Sequence, residues 1–424
     1  MRLTIKRIAS LQGEMRPPSD KSLTHRAYMF GAIADGQSTV RHPLRGEDCE
    51  STLKCLASMG LEYRFSSDHE VILKPAKEWQ QPTANLDCGN SGTTMRLLSG
   101  LVASRPLDVT MSGDASLSKR PMKRIAEPLR LMGATVEGDR PPIRIVGGEL
   151  KPIRYASPVA SAQVKSCVLL AGLRAAGETW VVEPSLSRDH TERMLRAMGV
   201  PLLGEGAEVG VAGGCHLNSF QFDVPADISS AAFFMVAAAL VPQSQVTLHD
   251  VSINPTRTGI LDVFAQCRIP VAADVPLDTL GEPYTSLEVR TATSLQPFAI
   301  GGADVPRLID EIPVLAVLAT QCDGESIVRD AGELRVKESD RIALMADGLR
   351  AMGADIEGTP DGLIVRGPTP LKGTHIDAQG DHRIAMSFAV AGLIADGETI
   401  IDGVESIATS FPDFERELWR LAVV

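Results

Sequence analysis

Six short polar clusters hold the residues best suited to chemistry. They are Lys21-Ser22-x-x-His25-Arg26, Asn90-Ser91-Gly92-Thr93-Thr94, Ser161-Ala162-Gln163-x-Lys165, Asp227-Ile228-Ser229-Ser230, Asp310-Glu311 and Asp381-His382-Arg383. Each opens a segment that turns strongly apolar, the pattern of a helix start, where unpaired backbone N–H groups and the helix dipole favour anions. Ser, Asn and Asp at such places read first as helix caps. Capping does not account for Lys21, Arg26 or Arg383, because a cation at the positive end of a helix costs roughly 0.3–1 kcal/mol unless something negative is bound there. A second set repeats the oddity: Lys119-Arg120-Pro121, Arg188-Asp189-His190, Arg257 and Lys337-Glu338-Ser339-Asp340-Arg341 fall near the starts of further helices. A solvated surface charge explains any one of these. Their recurrence at equivalent places points instead to a site for small polyanions, with charge-assisted and, for Arg, bidentate contacts to phosphate or carboxylate.

Gly92, in GNSGTT, allows close backbone approach, but the GxxxxGK[ST] of a P-loop is missing. No HExxH motif or His/Cys cluster suggests a catalytic metal. Two readings stay open at several positions. His25, His190 and His382 are either participants in chemistry or packing and capping residues. Asp310 is either a general base or a cap.

The six openings lie 66 to 83 residues apart, and each segment meets a Gly or Pro breaker near its end: Gly36, Pro106, Gly177, Pro242, Gly324 and Gly397. Met-Gly recurs at Met59, Met132, Met198 and Met352, each time closing a stretch with helical spacing, so the chain reads as six repeats. Within a repeat, a mostly apolar helix such as RIAMSFAVAGLIA leads into a β-branched strand such as TWVVEP. An amphipathic helix such as DHTERMLRAMG follows, then a strand or hairpin such as GLIVRG. A helix apolar nearly all round is buried. The expected α/β architecture therefore places six helices inside two bundles of three repeats each, with sheets and amphipathic helices around them and the halfway point near residue 227. The anion site is expected in a cleft between the two domains. The strand in LTIKRIAS fits either half.

Composition narrows the function classes. The 424 residues are 44% hydrophobic and 22% charged, which excludes disorder as the dominant state. The longest apolar run, Ala231 to Val241, is too short to span a bilayer, and the first ten residues carry no apolar signal segment. A formal charge of −11 argues against nucleic acid as a partner. Seven cysteines, none in a CxxC pair, fit a reduced cytoplasmic compartment.

The segments PSDKSLTHRA, GNSGTTMRLL, GDASLSKRPM, SAQVKSCVLLAGL, SRDHTERM, KESDRI and GDHRIAMSFAVAGL closely resemble the 3-phosphoshikimate 1-carboxyvinyltransferases, or EPSP synthases, of the enolpyruvyl transferase family. The resemblance runs from Met1 to beyond Pro412. It implies two similar domains, each of three βαβαββ-type units in an inverse α/β barrel. The chain would start in the C-terminal domain (1–14), cross to the N-terminal one (15–237) and return (238–424).

The implied reaction, in the shikimate pathway of aromatic amino-acid biosynthesis, moves the enolpyruvyl group of phosphoenolpyruvate (PEP) to the 5-hydroxyl of shikimate 3-phosphate. No cofactor or metal is implied. A monomer is expected, with glyphosate as an inhibitor at the PEP site. By match to the family motifs, Lys21, Ser22, Arg26, Ser161, Ala162, Gln163, Arg188, Asp310 and Lys337 would hold shikimate 3-phosphate. Lys21, Gly92, Arg120, Gln163, Arg341 and Arg383 would hold PEP. Asp310 would be the base and Glu338, with Lys21, the proton donor.

Two departures matter. Thr409-Ser410 stand where part of the family has a lysine that contacts PEP, and Gly92 stands where tolerant members of the SAQVK/RDHTE/NPTR branch can carry alanine. The related transferase acting on a UDP-sugar would show a reactive cysteine between Gly113 and Met122, and that stretch has none. Intact Asp310, Glu338 and Lys21 argue against a catalytically silent phosphosugar-binding module.

Overall fold

A computed structural model describes residues 1–423, and all six polar-to-apolar segments lead into helices. In chain order the helices are α1 (Lys21–Gly31), α2 (Glu47–Ala57), α3 (Gly92–Ala103), α4 (Lys123–Leu131), α5 (Ala162–Gly172), α6 (His190–Ala197), α7 (Ile228–Leu240), α8 (Gly259–Gln266), α9 (Val305–Leu308), α10 (Ile312–Ala319), α11 (Arg341–Ala351), α12 (His382–Gly392) and α13 (Phe414–Leu421). The apolar helices α1, α3, α5, α7, α10 and α12 are the buried ones. Every residue from Ile228 to Ala239 of α7 and every residue of α10 is buried. The helices α2, α4, α6, α8 and α11 bury one face only. No helix among the described residues is long and apolar enough to cross a membrane.

The chain forms two compact units. A central unit comprises 19–225 and 278–282, and a terminal unit comprises 1–18, 226–277 and 283 onward. Both crossings differ from the expected 14/15 and 237/238. The second expected boundary would cut α7, whose buried hydrophobic residues all belong to the terminal core. A helix apolar on every side cannot be shared with solvent at a linker, so the chain changes unit just before it, at Pro225.

The repeat is plain in the sheets. In the central unit, Leu86–Asp87 pairs in parallel with Asp108–Ser112, which pairs antiparallel with Ile143–Val146 and through it with Thr135–Glu137. Parallel neighbours need a crossover, supplied by α3, and the antiparallel pair needs only a turn, so strand, helix, strand, helix, strand, strand is the order. The same four-strand arrangement holds for Arg154–Ala156, Glu178–Val182, Glu208–Ala212 and Leu202–Glu205. The remaining central sheet takes its edge strand, Gln221–Asp223, from the end of the segment, in parallel with Ser38–Arg41.

In the terminal unit one repeat is self-contained, from Ala299–Ile300 to Gly362–Gly367. The other two are completed by the N-terminus. Arg2–Lys6 lies antiparallel to Glu398–Asp402, and Ser10–Met15 lies parallel to Gln245–Ser252. The first strand therefore belongs to the terminal unit. Among the described residues the sheets are six separate open ones, so the expected barrel is an ordering of helices inside and sheets outside rather than one closed sheet.

The Met-Gly pairs are helix stops. Gly60, Gly133, Gly199 and Gly353 take φ of 108°, 104°, 90° and 97°. After each, the next residue donates its N–H back five residues, for example Ala134 N to Leu129 O at 3.1 Å, which is the Schellman pattern. Each methionine is buried beneath its turn. The sequence hides a fifth copy: Arg268 (φ 59°) follows buried Cys267, and Ile269 N donates to Phe264 O at 2.9 Å.

Candidate active site

In the central unit, three helix starts carry the expected residues. Asp20 caps α1 by accepting from Leu23 N (2.8 Å), and Ser91 caps α3 by accepting from Thr94 N (3.0 Å). Ser161 caps α5 more loosely, accepting from Val164 N at 3.5 Å. Lys21, the first residue of α1, reaches Asp48 Oδ2 at 3.1 Å from the first turn of α2. Gln163 bridges two helix starts. Its Oε1 accepts from Arg96 Nη1 at 2.5 Å and its Nε2 donates to Thr93 Oγ1 at 2.9 Å. Arg120 donates to Asn90 Oδ1 at 2.6 Å, and Asn90 donates in turn to Asp114. A Cβ on Gly92 would lie 3.0 Å from Arg96 Nη1 and 3.5 Å from Arg120 Nη1, so this glycine sits directly beneath two guanidiniums. Backbone donors at the start of α3 with two arginines over them form a cradle suited to a small anion.

The terminal unit is arranged differently. Helix α10 has Glu311 as its N-cap residue, with no side-chain capping bond, so Asp310 does not take the capping role that its position before an apolar helix suggests. The Asp310 carboxylate instead faces cations: Arg341 Nη1 at 3.5 Å, Arg383 Nη2 at 3.7 Å and Lys337 Nζ at 3.9 Å. Arg383 also donates to the Asp310 backbone carbonyl at 3.1 Å. Arg341 is the hub. Its side chain is 1% exposed and makes ion pairs with Asp381 (2.8 Å) and Glu338 (2.6 Å) besides Asp310. Burial opposes its charge, but Asp381 and Glu338 outweigh that and hold Arg341 firmly protonated. Burial likewise opposes ionisation of Asp381, yet Arg341 draws it below the ordinary carboxylate range. Asp381 also caps α12, accepting from Arg383 N at 3.0 Å, and receives the Ser339 hydroxyl at 2.9 Å. A proton acceptor, a second carboxylate and three cations thus lie within a few ångströms. That set is suited to acid–base work on an anionic substrate.

Three expected cations are paired inside the protein. Lys165 is 1% exposed and sits between Glu183 (2.9 Å) and Glu192 (2.8 Å). Arg257 is buried against Asp227 (2.9 Å) and Ser229 (2.7 Å). Arg26 donates to Thr191 Oγ1, Ser166 Oγ and Ser22 O at 2.8–3.0 Å. Burial lowers Arg26 to about 10, against the pull of Glu192. Ser22, Ala162 and Arg188 are partly exposed beside these helix starts.

The histidines resolve toward structure. His25 is held down at about 3 by burial, and its Nδ1 meets Thr52 Oγ1 at 2.7 Å in a hydroxyl chain that continues to Thr94 and Ser91. His190 pairs with Glu282 at 2.9 Å, both fully buried. His382 is buried in the first turn of α12. Two residues escaped the sequence reading, Asp48 and Arg96. Asp48 looks like an ordinary acidic first-turn residue of a helix. Arg96 could have been found, since it stands four residues after Gly92 and so on the same helix face.

Comparison with known proteins agrees with this chemistry. A family model described as EPSP synthase (3-phosphoshikimate 1-carboxyvinyltransferase) matches residues 5–418. The chain is 48% identical over 417 residues to a 3-phosphoshikimate 1-carboxyvinyltransferase of Bacillus cereus (strain B4264), covering 97% of each. It is also 48% identical, with the same coverage, to that of Bacillus thuringiensis subsp. konkukian. A solved EPSP synthase from Acinetobacter baumannii superposes with a TM-score of 0.90 at 44% identity, over 100% of this chain and 98% of that one. The chain belongs to the EPSP synthase family.

Proposed function

We propose that the chain transfers the enolpyruvyl group of PEP to the 5-hydroxyl of shikimate 3-phosphate, releasing inorganic phosphate, with the residues above in specific roles. The observation that carries the assignment of roles is the Asp310 carboxylate among Arg341, Arg383 and Lys337, with Glu338 joined to the same Arg341. Asp310 takes the proton of the 5-hydroxyl as its oxygen bonds to the central carbon of PEP, while the methylene carbon receives a proton from Glu338, assisted by Lys21. The tetrahedral adduct then gives back a methyl proton and loses phosphate, which restores the enol ether. As the acceptor, Asp310 must enter the reaction ionised, and its carboxylate lies among three cations.

Glu338 has the opposite requirement, since a donor must carry a proton. Its carboxylate is paired with Arg341 at 2.6 Å. An anionic group of PEP that takes over Arg341 removes that partner and lets Glu338 hold a proton. PEP is assigned to Lys21, Gly92, Arg120, Gln163, Arg341 and Arg383. Shikimate 3-phosphate is assigned to Lys21, Ser22, Ser161, Ala162, Gln163, Arg188, Asp310 and Lys337. Arg26 acts by bracing Ser22 and helix α6 as well as by charge. The central and terminal units are read as the N-terminal and C-terminal enolpyruvyl transferase domains.

Glyphosate binds in place of PEP on this reading. The enzyme is a cytoplasmic monomer, in keeping with seven unbridged cysteines, and light scattering tests the monomer. A phosphate-release assay tests the whole. Phosphate appears only when PEP and shikimate 3-phosphate are both present, and a UDP-sugar does not replace the latter. Release with the UDP-sugar, or none with either acceptor, refutes the reading.

A further inference from the structure

We propose that Glu183 is a positioning residue that sets the sugar-phosphate site, holding Ser161 and the backbone before Arg188 through a buried ion cluster with Lys165 and Glu192. This rests on the assignment of Ser161 and Arg188 to shikimate 3-phosphate.

Glu183 follows the strand Glu178–Val182, whose alternation turns Thr179, Val181 and then Glu183 inward. The corresponding places in the two neighbouring repeats, one residue past Ser112 and Arg41, hold Gly113 and His42. The repeat fold therefore does not require a carboxylate there. Burying one is costly, and apolar replacements of buried ion pairs are often neutral or stabilising, so stability is a poor reason for its presence.

Its hydrogen bonds suggest another. Glu183 Oε1 accepts Ser161 N at 2.8 Å, just ahead of α5. Oε2 accepts the Ser187 hydroxyl at 2.7 Å and Ser187 N at 3.4 Å. Lys165 Nζ, on the second turn of α5, bonds Glu183 Oε2, Glu192 Oε1 and, at 3.3 Å, Ser187 O. The N–H, hydroxyl and carbonyl of Ser187 are thus all held by one buried cluster, and the next residue is Arg188. Glu192, on α6, anchors the far side of the same loop. One carboxylate sets the separation between two groups meant for the same phosphosugar, and its fixed geometry spares that site the cost of ordering a loop on binding.

Steady-state kinetics on the full chain test this with Glu183→Gln, Ser187→Ala, Ser161→Ala and Arg188→Ala. The expected result for Glu183→Gln is a rise of about tenfold or more in the KM for shikimate 3-phosphate, with kcat and the KM for PEP changed by less than about threefold. Ser187→Ala shifts the same constant by a smaller factor, and adds nothing in an Arg188→Ala background. An unchanged KM for shikimate 3-phosphate in folded Glu183→Gln overturns the proposal. So does a loss that falls equally on both substrates or only on kcat, which is what a merely structural role produces. If Glu183→Gln does not fold, Ser187→Ala decides by the same readout. If Ser161→Ala and Arg188→Ala themselves leave that KM unchanged, it is the assignment of the sugar-phosphate site that fails, and the proposal falls with it.

Discussion

The central unit pairs Lys21 with the Asp48 carboxylate but holds two of its arginines on amide oxygens, and in this last respect the terminal unit differs. In the terminal unit Arg341 is neutralised directly by Asp381, Glu338 and Asp310, all close to where the chemistry is assigned. In the central unit Arg96 and Arg120 meet the neutral oxygens of Gln163 and Asn90, while the buried carboxylates Glu183 and Glu192 are matched by Lys165 beneath. Five of the six interior helices begin with a side-chain cap, and the exception is α10, where Asp310 faces cations instead. The contrast separates two tasks. Amide oxygens fix an arginine's position without adding a second charge beside a bound anion, whereas carboxylates around one arginine bring acid–base groups and a cation together.

The sharpest test of that division is Asp310→Asn. The amide keeps the size and loses the base, so turnover should fall by roughly 10²–10⁴ while shikimate 3-phosphate still binds, as calorimetry can show. Wild-type turnover in the variant would leave Asp310 without a proton-transfer role.

Removing the hub arginine of each unit should next distinguish direct from neutral pairing. Arg341→Ala strands Asp381 and Glu338 and should cost about 3–5 kcal/mol of stability as well as PEP binding. Arg120→Ala loses its partly exposed bond to the Asn90 amide and should cost less, about 1 kcal/mol, with the KM for PEP still raised. Equal losses in chemical denaturation would erase the distinction.

The buried carboxylates should also respond to pH with opposite signs. Asp381 is held below its ordinary 3.8, so its contribution is present above that value and is lost as pH falls through the lower folded-state value. Glu192 is pushed above its ordinary 4.5 by burial, against the pull of Lys165, so its ionisation costs stability as pH rises from 4.5 through the higher folded-state value. Melting temperatures from about pH 8 to 3 should show the advantage of the wild type over Asp381→Asn shrinking in acid. Its advantage over Glu192→Gln should grow as pH approaches 4.5. Parallel curves for the two variants would contradict the opposite shifts.

A smaller effect is expected at Gly92. The nearest atoms to an added Cβ are the guanidinium ends of Arg96 and Arg120, at 3.0 and 3.5 Å, so the cradle shifts by tenths of an ångström rather than collapsing. Gly92→Ala should raise the ratio of the glyphosate inhibition constant to the KM for PEP by roughly three- to tenfold, about 1 kcal/mol, because the longer anion needs the space more. An unchanged ratio means that Gly92 does not limit it.

The smallest effect separates the units by their helix stops. All three amphipathic helices of the central unit end on glycine, whereas in the terminal unit α8 ends on Arg268. Arg268→Gly should stabilise by about 0.5–1 kcal/mol, visible as a raised melting temperature, because only glycine adopts positive φ without a steric penalty.

Much of this was legible in the residues alone. Polar starts followed by apolar runs marked the six interior helices, since capping and burial are local demands written in neighbouring positions. Met-Gly marked four helix stops for the same reason, and the fifth escaped because arginine can take that conformation at a cost. The family motifs named the candidate site residues but not their partners. That Lys165 and Arg257 lie inside, that Asp310 faces cations rather than capping a helix, and that Asp48 stands beside Lys21 depend on which distant segments pack together. Repeat spacing put the midpoint near residue 227, close to the change of unit at Pro225, whereas the boundary carried over from the family fell within α7. Such pairings are set by burial across the fold, where a charge must find its partner among residues far away in sequence, and only the tertiary structure decides which.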